Sequence, residues 1–430
     1  MPAAKHQATN HHTRPSNERD FLAELDSTAE KKKWPLVRKW MDKHPHAFFK
    51  QLRLERPVLI TDECTLLALY DDVVEALEQP KIFSVGLYKP KMGDFLMTED
   101  DTPLHNHDRA IMMSLLKRED IPLIRKYTAD KSNDILNQAN GEMDLIQSFS
   151  RTIPVSLVQD IFGLDGINQK HLLKWSYLNQ YDAFNNQHFQ NFAGHEKIGK
   201  SRKKGNVWLL LYALSMFMRK YWHILRGQPK NDTVTRMLEE HSPFEKGFNI
   251  LRQASNSAGL LIGTIETTSG AVSNALTQLF KHPEHLAKAI ALAKSDDVES
   301  FDRIVWEALR SQPIAPYLMR QLTQDYTIRK GKQHETTIPK GTTVLCLIAS
   351  AMFDPSAFDN PDEFDPTRAY GKSFQFGFGH HECIGKMIGM VMIPEMVRQV
   401  LLRPNIKQAA EVDFLDSPFP KRHLFSWTKK

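Results

Sequence analysis

The chain is poor in cysteine, with Cys64, Cys346 and Cys383 as its three among 430 residues. An odd, sparse set is not a disulfide framework. It fits a reducing cytoplasm, the compartment expected here. Long apolar runs are also missing. None reaches the roughly 18 residues of a spanning helix, and Val207 to Met218, the longest, suits a buried or interfacial helix. The polar N-terminus, MPAAKHQATNHHTRPSNERD, has no apolar signal core. Charge of one sign is scarce: the formal net charge is +5. That is too weak to argue for a nucleic-acid binder, which would call for a basic stripe on one face or a nucleic-acid motif. It leaves an ordinary solvated surface, or a modest basic patch for an acidic protein partner. No Gly/Ser linker and no repeat divides the chain. No flavin or nicotinamide fingerprint is visible, and no cysteine set for an Fe–S cluster.

What is present points to one helix-rich body. Residues 1–20 read as a flexible arm and 21–430 as a single, mainly α domain with a small β part. Asp71 to Gln79, Asp108 to Leu116, Ile121 to Asn140 and Thr152 to Phe162 carry apolar residues at helical spacing. Pro122 and Pro154 stand near helix starts, where proline is tolerated. The strongest helical stretch runs from Phe244 to Phe280. Its middle, Ala258 to Ile265, is small or apolar all round and should cross the core. Strand signals are fewer: Val58 to Thr61, Tyr326 to Arg329 and Thr343 to Ile348. From Phe353 the chain turns irregular but aromatic, as a long functional loop would be.

Within that loop lies Phe376-Gly377-Phe378-Gly379-His380-His381-Glu382-Cys383-Ile384-Gly385. Glycines on both sides of the cysteine let the backbone approach a flat ligand closely. The apolar segment Ile384 to Ile393 looks helical, so Cys383 sits near a helix N-terminus, whose partial positive charge favours thiolate. A thiolate is the ligand that pushes electron density onto haem iron and favours O–O cleavage.

These residues resemble the haem-binding signature of the cytochrome P450 family, Phe-x-x-Gly-x-x-x-Cys-x-Gly, at Phe376, Gly379, Cys383 and Gly385. Glu307-Ala308-Leu309-Arg310 is similar to the family's Glu-x-x-Arg, with both side chains on one helix face. Arg368, in Phe364-Asp365-Pro366-Thr367-Arg368, resembles the arginine that completes a Glu-Arg-Arg cluster, a structural lock. In the long helix, Gly263-Thr264-Ile265-Glu266-Thr267-Thr268 resembles the family's acid–alcohol segment, which implies that Glu266 and Thr267 relay protons near bound dioxygen. His105 and Arg109, with Arg320 and His381, match positions that hold haem propionates in similar bacterial members.

The resemblance implies the P450 fold, haem b as cofactor, and monooxygenation of a small apolar molecule. Electrons would come from separate proteins, such as a ferredoxin and its reductase, because the chain shows no flavin or Fe–S motif. Peroxide-driven oxidation, hydroperoxide rearrangement and a non-enzymatic haem-thiolate sensor or carrier are the alternatives. Pocket positions expected on the long helix are Ala258, Gly259 and Ile262, faced by Ile314, Ala315 and Tyr317.

Three features depart from the pattern. Thr264 stands where the family usually has glycine, and could narrow the oxygen groove or join the proton network. Gly389 to Met392 replaces an Ala-Arg-x-Glu run. Pro394 should kink or end its helix early. Beyond these motifs, Lys197, Lys200, Arg202, Lys203 and Lys204 precede Val207 to Met218. The expected reading is a solvated loop before a buried helix, with peripheral contact to an anionic membrane as the alternative.

Overall fold

The computed structural model describes residues 19–190, 195–415 and 417–429. The arm expected over residues 1–20 lies almost wholly outside them. The body is helical, and its axis is the long helix Ile250–Lys281. That helix begins later than the apolar pattern predicts. Gly247 adopts φ +91° and interrupts any earlier start. Asn249 then caps the helix, its Oδ1 accepting from Leu251 N at 3.1 Å and Arg252 N at 3.3 Å. Around it pack Thr152–Asp160, Gln169–Asn185, the outer helix His195–Leu225, the lock helix Val298–Ser311 and the cysteine helix Lys386–Leu401. Their buried faces merge into one core, from Leu96 and Met112 through Phe149, Phe217, Leu261 and Phe301 to Met396.

Five short strands make a sheet in the spatial order Val58–Ile60, Thr65–Leu67, Thr343–Cys346, Leu318–Leu322 and Phe83–Ser84. Arg320 pairs with Val344 in the register of this sheet. A three-stranded and a two-stranded sheet complete the β part.

Two expectations are corrected. Of the kink or early end expected at Pro394, the early end does not occur: the cysteine helix runs on to Leu401. Proline in a helix interior costs about 3 kcal/mol. Burial of Ile388, Met392, Met396, Val397 and Val400 against neighbouring helices outweighs that cost. The basic cluster is not a loop either: Lys197 to Lys204 form the first turns of the outer helix. Arg202 is buried there and pairs with Asp182 at 2.5 Å. Val207 to Met218 is not a buried helix, since Val207, Trp208, Leu210, Leu211 and Met218 are exposed.

Candidate functional site

The cysteine loop is folded by its own backbone. Gly377 N donates to Phe374 O at 2.9 Å, Glu382 N to Gly379 O at 3.0 Å, and Cys383 N to Phe376 O at 2.9 Å. These bonds require left-handed backbone at Gly377 (φ +75°) and Gly379 (φ +66°). At Gly379 a Cβ would also stand only 3.2 Å from Leu77 O. Cys383 is accessible, whereas Cys64 and Cys346 are buried. Enough protein surrounds the Cys383 sulfur that burial pushes its thiol pKa up. The Gly385 backbone N–H and Arg109 pull it back down. The cysteine helix starts at Lys386, just beyond Gly385.

Phe376 packs beside Trp306, ring centroids 5.4 Å apart. Its ring also lies on Gly389, where a Cβ would come within 2.7 Å of Phe376 Cε1. Gly389 is thus the counterpart of the way this phenylalanine ring lies.

A second group brings together the expected anion-binding residues. His105 is fully buried, with Nδ1 2.6 Å from Leu96 O and Nε2 unpartnered. Arg109 donates from Nη2 to Glu382 O at 2.7 Å, while its Nη1 has no partner. Neither ring nitrogen of His381 is bonded. Burial, reinforced by Arg320 and the neighbouring histidines, holds the His381 pKa down to about 2. Arg320 is buried and donates to Met319 O at 2.9 Å. His380, not singled out by the sequence reading, joins them: its ring lies 4.2 Å from His105 and 5.0 Å from His381. Its Nε2 is also unpartnered. Buried donors without partners cost about 1–3 kcal/mol each. Several of them converging among cations fit a carboxylate-bearing ligand.

The long helix presents its open face at helical spacing: Ala258, Gly259, Gly263, Thr264 and Thr267 are all at least partly accessible. A Cβ at Gly263 would meet nothing within 4 Å. Thr264 Oγ1 donates to Leu260 O at 2.6 Å, and Thr267 Oγ1 donates to Gly263 O. Glu266 points elsewhere. It is buried and pairs with Arg151 Nη2 at 2.6 Å. Burial raises its pKa, and the Arg151 charge and hydrogen bond oppose the rise, with a smaller contribution from Lys421. Lys421 is held down to about 8 by burial and by Arg151. The two halves of the acid–alcohol motif therefore make no hydrogen bond to each other. Arg151 and Lys421 carry no local signal in the sequence, because tertiary folding alone brings them to Glu266.

A cavity of about 140 Å³ lies between the long and outer helices, lined by Phe95, Leu210, Leu251, Ala258, Gly259 and Ile262, among others. Phe95 fits there because residue 259 has no side chain, since a Cβ would sit 2.7 Å from its ring. Ile314, Ala315 and Tyr317 are not brought to this cavity. Ile314 packs on Gly270, where a Cβ would lie 2.1 Å from Ile314 Cδ1. Ala315 packs against the sheet-side core, and the Tyr317 hydroxyl accepts from Gln190 Nε2 at 3.0 Å.

On the lock helix, Glu307 receives Arg310 Nε at 2.9 Å and Nη2 at 2.8 Å, and Asp365 N at 3.0 Å. Arg310 also donates to Met352 O at 2.9 Å and Glu363 O at 3.0 Å. Arg368 stands 3.4 Å from Glu307 and donates to Asn360 O and Glu363 O. Glu307, Arg310 and Arg368 thereby hold the irregular segment that leads into the cysteine loop.

An accessible cysteine in a glycine-shaped loop, close to the unpartnered polar atoms of Arg109 and of three histidines, fits a flat, anionic, sulfur-ligated group. The family model of cytochrome P450 matches residues 63–430, and the chain belongs to that family. It is accordingly an oxidoreductase of the monooxygenase class that uses haem iron. The chain is 25% identical over 321 residues to a putative cytochrome P450 133B2 of Xylella fastidiosa (strain 9a5c), covering 73% of this chain and 74% of the relative. It is 23% identical to the biotin biosynthesis cytochrome P450 of Bacillus subtilis (strain 168), over 90% of this chain and 94% of that one. A crystal structure of P450BioI in complex with a hexadec-9Z-enoic acid ligated acyl carrier protein shares the fold. Its TM-score is 0.76 at 20% identity, covering 91% of this chain and 100% of that one. No helix among the described residues is long and apolar enough to cross a membrane.

Proposed function

We propose that this protein binds haem b through Cys383 and inserts one oxygen atom of O2 into a small apolar substrate. The observation that carries the reading is the accessible Cys383 near the unpartnered donors of His105, Arg109 and His381. Haem iron, when bound, supplies dioxygen activation at the expense of two electrons and two protons. His105, Arg109, Arg320, His380 and His381 would pair with the propionates and orient the ring. Gly379 and Gly385 keep the loop backbone close, and Phe376 flanks the sulfur side. Gly263 leaves the open face of the long helix unobstructed. Thr267, with Thr264 one turn earlier, would hold the water that delivers a proton. Glu266 would supply protons by releasing Arg151. Ala258, Gly259 and Ile262 would contact the substrate, and their apolar surfaces suit a lipid, terpenoid or aromatic molecule. Electrons would reach the chain from a ferredoxin and its reductase in the cytoplasm.

The test starts from the reduced carbon monoxide complex, which should show the strongly red-shifted Soret band of thiolate ligation. Cys383→Ser should lose that band, and Cys64→Ser and Cys346→Ser should keep it. A normal band in Cys383→Ser would refute the assignment. Turnover with a ferredoxin–reductase pair, set against turnover with peroxide alone, then separates monooxygenation from the second reading, peroxide-driven oxidation. The closed Glu266–Arg151 pair favours that second reading, because it holds the acid away from Thr267. Failure of both assays would leave a sensor or carrier.

A further inference from the structure

The outer helix turns an unusual face to solvent. Val207, Trp208, Leu211, Met218, Trp222 and Leu225 are between 47% and 63% exposed. At 100° per residue they fall on one side, opposite the buried Leu209, Ala213, Met216, Phe217 and Lys220. Lys197, Lys200 and Lys204 continue the same side toward the N-terminus, with exposed Lys203 beside them. From Lys197 to Lys230 the sequence contains no Asp or Glu. Among the described residues, Lys197, Lys203, Lys204 and Arg226 hold no ion pair, and Arg226 lies over the Trp222 ring at 4.5 Å. Phe244 extends the apolar area, packing its ring 6.2 Å from Tyr221. A monomer rarely leaves so contiguous an apolar face uncovered.

We infer that this face docks on an anionic phospholipid surface, with the outer helix lying in the plane of the bilayer interface. Charge decides the occupant. A second copy packed antiparallel on this helix would set Lys197, Lys203 and Lys204, which hold no ion pair among the described residues, against Arg226; Lys200 and Lys230 are already paired with Glu196 and Asp165. Packed parallel, it would set lysine against lysine. Both arrangements repel, whereas an anionic lipid surface satisfies both basic ends together. The two tryptophans suit the headgroup boundary, each with an apolar ring and a polar N–H. The helix lies on the surface and does not span it, because its opposite face is packed into the core. The docked face also borders the cavity: Leu210 and Leu251 line it and are themselves exposed. An apolar molecule dissolved in the lipid would then reach the cavity without crossing bulk water.

The haem-loaded full chain is spun with sucrose-loaded vesicles of phosphatidylcholine, with and without phosphatidylglycerol. The protein should pellet with the anionic vesicles and far less with the neutral ones, and added salt should weaken the difference. Changing Lys197, Lys203 and Lys204 to Gln should lower the partition constant by about fivefold per charge removed. The double variant Leu211→Glu, Trp222→Glu should abolish pelleting. Both sets are at exposed positions and should keep the carbon monoxide band and the thermal midpoint of the parent. Wild type remaining in the supernatant with both vesicles would overturn the inference, as would variants that pellet like wild type. Sedimentation velocity identifies the rival occupant: a dimer lost in the double variant, without vesicle binding, would assign the face to a second copy. None of these readouts depends on turnover, so they stand apart from any failure of the proposed oxidation.

Discussion

Arg310→Ala should unfasten the segment that carries the cysteine loop. In the folded chain the guanidinium makes two-pronged contact with Glu307, from Nε at 2.9 Å and Nη2 at 2.8 Å. It also serves the carbonyls of Met352 and Glu363 and lies 4.8 Å from the Phe353 ring centroid. Both members of the pair are 5% exposed at the side chain, so water cannot replace what alanine removes. Breaking a buried pair from one side costs about 3–5 kcal/mol. Glu307 would retain Asp365 N at 3.0 Å and Arg368 at 3.4 Å. The expected loss therefore lies at the lower end, about 3 kcal/mol. Arg303→Ala on the same helix is the control. Its partner Glu299 is solvent-exposed, and an exposed pair at this spacing contributes about 0.3–0.5 kcal/mol. Urea unfolding followed by circular dichroism, with haem absorbance in parallel, measures both. Arg310→Lys keeps the charge but loses the fork and should fall between them. If Arg310→Ala were as stable as wild type and merely slow in turnover, the lock would be an incorrect account. The same holds if Arg303→Ala lost as much stability.

Three further outcomes follow from the site. Thr267→Ala should still bind haem and substrate and consume reductant, but send more of it to hydrogen peroxide. Losing a positioned proton donor costs about 10²–10⁴-fold in rate, and Thr264→Gly, alone and combined, tests whether the earlier hydroxyl substitutes. Unchanged coupling in the double variant would exclude this hydroxyl network. Gly389→Ala should push on Phe376 and destabilise by about 1–3 kcal/mol, with faster haem loss, read by haem transfer to a scavenger protein. Wild-type haem retention would show that the ring moves freely. In the haem-free protein, the lowered His381 pKa means that the unfolded chain binds a proton that the folded chain does not, between about pH 6.5 and 2. Its contribution is present above pH 6.5 and is lost as pH falls through that window. His381→Asn should flatten the decline in the thermal midpoint on acidification. An unchanged slope would assign the acid sensitivity elsewhere.

Helices were legible where an apolar period met a cap or a proline. Ile121–Gln138 and Thr152–Asp160 lie within a few residues of their expected ends. The apolar pattern alone starts the long helix too early; Gly247 and the Asn249 cap set its true start, and both signals are in the sequence. At Pro394 the early end that local chemistry allows is overridden by tertiary burial. The outer helix is a third case. Periodicity identifies an apolar face but not what covers it, so Val207 to Met218 reads as buried when half of it faces outward. At the site, the residues near Cys383 were readable because they share one contiguous segment. Arg151 was not, since nothing near it in the chain indicates Glu266 as its partner.

The departures from the family pattern look different once their neighbours are known. Gly389 is no simple loss of side chain, because the Phe376 ring fills the volume that a Cβ there would need. The ring in turn meets Trp306 on the lock helix. Substituting any one of the three alone should therefore cost more than a compensated pair, since residues sharing one packed volume do not behave additively. Thr264 is accommodated by a different route. Its neighbour Gly263 faces open space, and its hydroxyl is satisfied by Leu260 O at 2.6 Å. A hydroxyl bonded within its own helix needs no partner from the groove. It can nevertheless offer its oxygen to a water there without leaving that bond, because a hydroxyl oxygen keeps acceptor capacity while it donates. Thr267 is in the same state, donating to Gly263 O. Both hydroxyls thus present acceptor oxygen toward the open side, while the nearest acid, Glu266, is tied to Arg151. In the proton delivery proposed along this helix, Arg151 would have to let go of Glu266. Burial, which raises the Glu266 pKa, makes the protonated and released form more accessible than an exposed glutamate paired in the same way would have.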